Sequence, residues 1–131
     1  THKAGFLSMA EHLRTGAAGE QLACQWLETH GFKVLHRNWR YGHDEIDVVA
    51  REGRFLVVVE VKTLKSDRWG DPEDAVDHRK QMKLMRAADE LIEQTEEDLE
   101  LRFDVIAITT HGHDILHIPD AFYPTLDEQT H

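Results

Sequence analysis

The stretch Val57-Val58-Val59-Glu60-Val61-Lys62 decides the fold of this chain, read together with Glu45-Ile46-Asp47 before it. Phe55 to Val59 are apolar without alternation, the pattern of a central strand covered on both faces. Side chains of an extended segment alternate, so Glu60 and Lys62 leave that strand on the same side. Charges at the end of a covered strand are costly, because each buried ion carries a penalty of several kcal/mol. Asp47, on the preceding strand, brings the group to two carboxylates and one lysine. That is the composition of a divalent-metal site with a lysine acting on water. The plain alternative is an ordinary same-face ion pair of Glu60 with Lys62 where the strand meets water, with Asp47 capping a turn.

Outward from this core the pattern predicts αβββαβ followed by a short last strand. Thr15 is placed to N-cap a helix running to His30 and closed by Gly31, with Gly19, Leu22, Ala23, Trp26 and Leu27 as its core stripe. Strands are expected at Lys33–Tyr41, Glu45–Arg51 and Arg54–Thr63, with Gly53 making the hairpin between the last two. Asp71 and Pro72 start a helical turn, and Asp77 a second start leading to a long helix that ends near Gln94. Met82, Met85, Ala88 and Ile92 are expected on its buried face, the methionines as packing rather than ligands. Leu101–Thr109 reads as a strand and Ile115–Ile118 as a short edge strand.

With 131 residues the chain is sized for one domain, expected over residues 9–131. Residues Thr1 to Ser8 read as a cloning remnant ahead of Met9. No apolar run is long enough to span a bilayer and no signal-peptide pattern opens the chain. The single cysteine, Cys24, excludes an internal disulfide, reads as a small buried apolar residue, and points to a reducing cytoplasm. The formal net charge of −10 opposes polyanion binding, but the charge is unevenly spread. Lys62 to Arg86 holds seven basic and five acidic residues, whereas Ala87 onward holds one basic and twelve acidic. Arg79, Lys83 and Arg86 share a helix face near the Glu60 strand, either a strip for a phosphate backbone or a solvated face of mixed charge. Ten histidines invite a zinc reading, but His111, Gly112 and His113 with His117 fit no closed zinc spacing and lack cysteine partners.

Asp47, twelve intervening residues, then Glu60-Val61-Lys62 resembles the D…ExK core of the PD-(D/E)xK nuclease superfamily. Gly16-Ala17-Ala18-Gly19-Glu20-Gln21-Leu22-Ala23 resembles the GxxGExxA opening of the YraN family, a bacterial branch of that superfamily. Arg37-Asn38-Trp39-Arg40, Glu45 to Ala50, Val58 to Thr63, Gly70 to Val76, Lys80, Arg102-Phe103-Asp104-Val105 and Asp120 to Tyr123 follow in the family's order. The resemblance implies an α/β, restriction-endonuclease-like αβββαβ core, a mixed central sheet flanked by helices. It also implies a metal-dependent nuclease acting on DNA, with branched or damaged DNA suggested by likeness to Holliday junction resolvases, and RNA left open. Such enzymes act as symmetric dimers, so a homodimer is expected by analogy. The rival is a catalytically silent module that binds nucleic acid or a partner through the same fold.

On this resemblance Asp47 and Glu60 hold Mg²⁺ (or Mn²⁺), with the backbone carbonyl of Val61 as a third ligand. Lys62 orients or deprotonates the attacking water, and Glu20 binds a second metal or a metal-bound water. Glu20 read by itself is equally a helix-start glutamate favoured by the dipole. Glu45, two residues before Asp47, is expected on the same face as an outer carboxylate. Arg37, Arg40, Lys65, Arg79, Lys80 and Lys83 are the expected nucleic-acid contacts, with Lys80 aimed at the scissile or an adjacent phosphate. Lys65 stands where the family usually carries arginine, keeping the charge but not the bidentate fork. Trp39 is core or a base-stacking face, and Trp69 the better candidate for touching nucleic acid or forming a dimer contact. Asp104 is expected to hold Arg102 or a helix terminus rather than do chemistry.

Overall fold

The computed structural model describes residues 17–64, 77–109 and 114–122. Helix α1 (Ala17–Thr29) is followed by strands β1 (Lys33–Tyr41), β2 (Asp44–Glu52) and β3 (Phe55–Leu64), helix α2 (His78–Gln94), and strands β4 (Glu100–Thr109) and β5 (Ile115–Ile118). The sheet order is β1-β2-β3-β4-β5, antiparallel throughout except for the parallel pair β3·β4. A parallel pair needs a crossover, which α2 provides. The αβββαβ core, a mixed sheet flanked by helices, is therefore present, with strand ends within one residue of expectation.

The two faces of the sheet bury different sets. Leu56, Val58, Phe103 and Val105 pack under α2 through Leu84, Met85, Ala87, Ala88 and Leu91. Val57, Val59, Ile106 and Ile108 pack under α1 through Ala23 and Leu27. This double burial is why β3 shows no polar alternation. Met85 and Ala88 are buried on α2 as expected, but the arc is rotated: Leu84, Ala87 and Leu91 complete it, with Met82 and Ile92 at its margins. The spacing of that arc follows the helical period as well as the predicted one does, and contact with β3 and β4 selects it.

Helix α1 closes as its glycine predicts. Gly31 has φ +93, and the amide of Phe32 donates to the Leu27 carbonyl at 2.9 Å, satisfying an orphan carbonyl of the last turn. Gly53, φ +59, opens the two-residue loop between Glu52 and Phe55, where a hairpin matched to strand twist requires positive φ. Asp77 caps α2 by accepting the Lys80 amide at 2.9 Å. Thr15, Asp71 and Pro72 lie outside the described residues.

Asp104, fully buried on β4, accepts from Arg102 Nε and Nη2 at 2.9 and 2.8 Å. His117 Nε2 lies 2.8 Å from it and the Asp120 amide donates at 2.9 Å. Arg102 continues to Glu52 at 2.9 Å and lies over the rings of Phe32 and Phe55. Asp104 thus holds Arg102, as expected, and its other partners are β5 and the turn after it rather than a helix terminus. Cys24 is partly buried against the α1-side core, and that burial raises its thiol pKa. Among the described residues no helix is long and apolar enough to cross a membrane.

Candidate metal and nucleic-acid site

The hydrogen-bonded register of β2 and β3 runs from Glu52↔Phe55 to Val48↔Val59 and stops there. Beyond it the Asp47 side chain takes over: its Oδ2 accepts the Val61 amide at 3.0 Å, satisfying a donor the ladder no longer reaches. Alternation also breaks at this point, because Ile46 belongs to the α2-side core and Val48 to the α1-side core. The cause lies opposite, in β1. Arg37↔Val48 and Trp39↔Ile46 bracket Asn38 across from Asp47, and Asn38 has φ +53. A left-handed residue within a strand turns the chain over, and asparagine tolerates that conformation better than most.

Glu60 follows Leu56 and Val58 on the α2 side of β3 and is 4% exposed. Asp47 and Glu60 lie within hydrogen-bonding reach of each other. Burial, then the neighbouring Asp47 charge, push the Glu60 pKa up to about 7 despite the opposing pull of Lys80. Lys80 Nζ, from the first turn of α2, pairs directly with Glu60 Oε2. Burial works to lower the Lys80 pKa, but the bond and charge of Glu60 outweigh it and raise it. Glu20, in the first turn of α1, is also raised, first by burial and then by Asp47; an Asn38 hydrogen bond and the Arg37 charge oppose this.

A cleft of about 360 Å³ opens beside these groups. His43, Asp44, Glu45 and Asp47 line it from β2 and the preceding turn, and Asp77, Arg79, Lys80, Lys83 and Leu84 from α2. The first turn of α2 carries His78, Arg79 and Lys80 and no acidic residue. This reverses the usual preference, since the positive end of the helix dipole disfavours cations. Arg79, Lys80 and Lys83 against the single carboxylate of Asp77 make this wall of the cleft net positive.

Of the expected site residues, Glu20, Asp47, Glu60 and Lys80 are brought together, with the Val61 amide bound to Asp47. Lys62 is partly buried two residues past Glu60. The ion pair the structure gives Glu60 is to Lys80, across elements, and not the same-face pair with Lys62 that the plain alternative supposed. Glu45 lines the same cleft as Asp47, and Arg40 lies 3.7 Å from its carboxylate. Arg37 and Arg40 are exposed on β1. Trp39 packs against the α2-side core, which decides between its two readings. Arg86 does not extend the basic strip freely; it pairs with Asp44 at 3.4 Å and ties α2 to β2. Lys65, Trp69, His111 and His113 lie outside the described residues, and His117 is engaged by Asp104.

Among the described residues no group of three or more His, Cys, Asp or Glu is gathered as a metal cluster. What this site offers is two converging carboxylates, with Lys80 reaching Glu60 from the α2 wall. A hard divalent cation that keeps several waters needs only one or two carboxylates, so the donor set fits magnesium or manganese.

The family model described as "Uncharacterised protein family UPF0102" matches residues 19–108. The chain belongs to this family. It is 45% identical to the UPF0102 protein of Bacteroides thetaiotaomicron over 120 residues, 90% of this chain and 99% of that relative. It is 43% identical to the UPF0102 protein of Flavobacterium johnsoniae over 121 residues, 88% of this chain and 98% of that relative. The matched span of this UPF0102 chain contains Glu20, Asn38, Asp47, Glu60, Lys62 and Lys80 and ends before β5. One contributor escaped the reading of the sequence, Asn38 as the partner of Glu20; the basic residues Arg79 and Lys80 at the start of α2 were already among the expected contacts. A polar, left-handed-tolerant residue inside a strand was the available signal.

Proposed function

We propose that this UPF0102 chain is a PD-(D/E)xK-type nuclease that hydrolyses phosphodiester bonds in DNA with the help of a divalent cation. The observation that carries the reading is the pair Asp47 and Glu60, two carboxylates in hydrogen-bonding reach, of which Asp47 lines a cleft whose other wall is basic. Asp47, Glu60 and the Val61 carbonyl would hold the cation, which supplies charge neutralisation at the phosphate and a more acidic water. Lys62, on the Glu60 side of β3, holds the attacking water and takes part in moving its proton. Glu20, kept in place by Asn38, adds an acceptor for a water or a second cation. Arg79 and Lys83 on α2, and Arg37 and Arg40 on β1, contact the phosphate backbone on either hand. Nothing in this set reads a base edge, so recognition is by backbone and shape.

The acidic surface favours a second reading, a module that binds nucleic acid or a protein without turnover. Cleavage of linear, single-stranded, flapped and four-way-junction DNA, with an RNA duplex alongside and Mg²⁺ or Mn²⁺ present, decides between them. Wild type is expected to cut at least one DNA, and Glu60→Ala none. Equal background cleavage by both proteins on every substrate would reject the nuclease and leave the binding module.

A further inference from the structure

The contact between Glu60 and Lys80 joins two unlike partners. Glu60 is rooted in the sheet with its side chain 4% exposed, whereas the Lys80 side chain is 47% exposed on the cleft wall. The Lys80 backbone is held by the Asp77 cap at 2.9 Å, so any motion of its charge is confined to the side chain. A four-carbon stem ending in a compact ammonium can swing; a carboxylate packed beneath α2 cannot. In the protein as it stands, Lys80 is the positive charge that compensates a buried carboxylate already crowded by Asp47.

We infer that Lys80 is the resident counter-cation of this site: a divalent ion reaches Glu60 only by displacing the Lys80 ammonium, which is thereby released to bind a substrate phosphate. This rests on reading Asp47 and Glu60 as metal ligands, and it adds the way in which metal and substrate binding are coupled. Metal and ammonium compete for one carboxylate oxygen, so Lys80 weakens metal binding in the free protein. Once displaced, Lys80 stands in the cleft beside Arg79 and Lys83, where a phosphate restores the pairing it has lost. Coupling of this kind is reciprocal, so a phosphate-bearing ligand that engages Lys80 also tightens the metal. A metal-poor protein keeps its site closed by its own lysine.

The test is Mn²⁺ binding to the full chain, followed by the loss of the free-ion electron paramagnetic resonance signal. Wild type, Lys80→Met, Lys80→Gln, Lys80→Arg and Lys83→Met are compared. Lys83 lines the same cleft, so its variant reports the plain effect of removing one positive charge. Lys80→Met and Lys80→Gln are expected to bind Mn²⁺ about tenfold more tightly than wild type. Lys83→Met should change affinity by about twofold or less, since its charge is screened by solvent. Lys80→Arg, still cationic, should stay at or below wild-type affinity. The glutamine variant keeps the answer available should the methionine variant misfold. Wild type binding Mn²⁺ with both neutral Lys80 variants equal to it or weaker would overturn the inference and leave the metal site standing. Absence of Mn²⁺ binding in every protein would overturn the reading of Asp47 and Glu60 as ligands.

Discussion

Two buried carboxylates of this chain, Glu60 and Asp104, have their pKa values moved in opposite directions, and the difference lies in their partners. Burial pushes Asp104 up, but the His117 contact, the Arg102 fork and the Asp120 amide outweigh it and hold its pKa below the ordinary value. Its contribution to stability is therefore present above the unfolded-state pKa and is lost as pH falls through the lower folded one. Glu60 has one half-exposed lysine against burial and a second carboxylate, and stands at about 7 against an ordinary 4.5. A raised acid binds more protons folded than unfolded between those two values. Stability is thus greatest below pH 4.5, falls through the window, and is fully reduced above pH 7. Glu60→Gln removes this slope. In EDTA-treated protein at pH 8 we expect the variant to be more stable by about 2 kcal/mol, the gap closing toward pH 4.5. Thermal unfolding across pH checks it; a pH-independent gap would mean that Glu60 ionisation carries no such cost.

At the scale of elements, the site depends on a reversal of side-chain alternation where β2 passes Asp47. Strand β3 and helix α2 were legible in the sequence because an unbroken apolar run and an Asp77 cap are local signals. The reversal of β2 at Asp47 was not, because its cause sits on the neighbouring strand at Asn38. Parity along β2 alone keeps Ile46 and Val48 on one face, and only their packing into the two separate cores shows them on opposite faces. Asn38→Gly is expected to hold stability within about 0.5 kcal/mol, since glycine accepts positive φ, while Asn38→Ala costs about 1 kcal/mol. Both lose the hydrogen bond to Glu20, so cleavage should fall by about tenfold in both. Denaturant unfolding beside a cleavage assay separates the backbone effect from the side-chain effect; full activity in the glycine variant would remove Asn38 from the site.

Across the whole molecule, charge is segregated. The basic wall at the start of α2 faces the acidic pair, while Glu96, Glu97, Asp98 and Glu100 gather between the end of α2 and the start of β4. Of these, Glu97 is bound by Arg51 at 2.7 Å, which lowers its pKa and ties that loop to β2. With a net charge of −10, long-range attraction to a polyanion is weak, and the DNA binding proposed above would rest on the few cations of the cleft. The slope of log K against log salt for a short DNA duplex is therefore expected to be no steeper than about −4. Arg79→Ala and Lys83→Ala should each make it shallower by about 1. Fluorescence anisotropy at several salt concentrations measures both; unchanged slopes in the two variants would place the DNA elsewhere.

Length, the covered strand, the helix cap and the hairpin glycine were enough to determine the αβββαβ core and to nominate Asp47 and Glu60, because backbone preference and burial pattern are written in neighbouring residues. Only the tertiary structure decided that Glu60 pairs with Lys80 rather than Lys62, that Asn38 holds Glu20, and that Asp104 anchors β5 and the turn after it. Those contacts join residues 13 to 20 positions apart across different elements. They are set by strand register and by where the crossover helix lands on the sheet, and no local pattern encodes either.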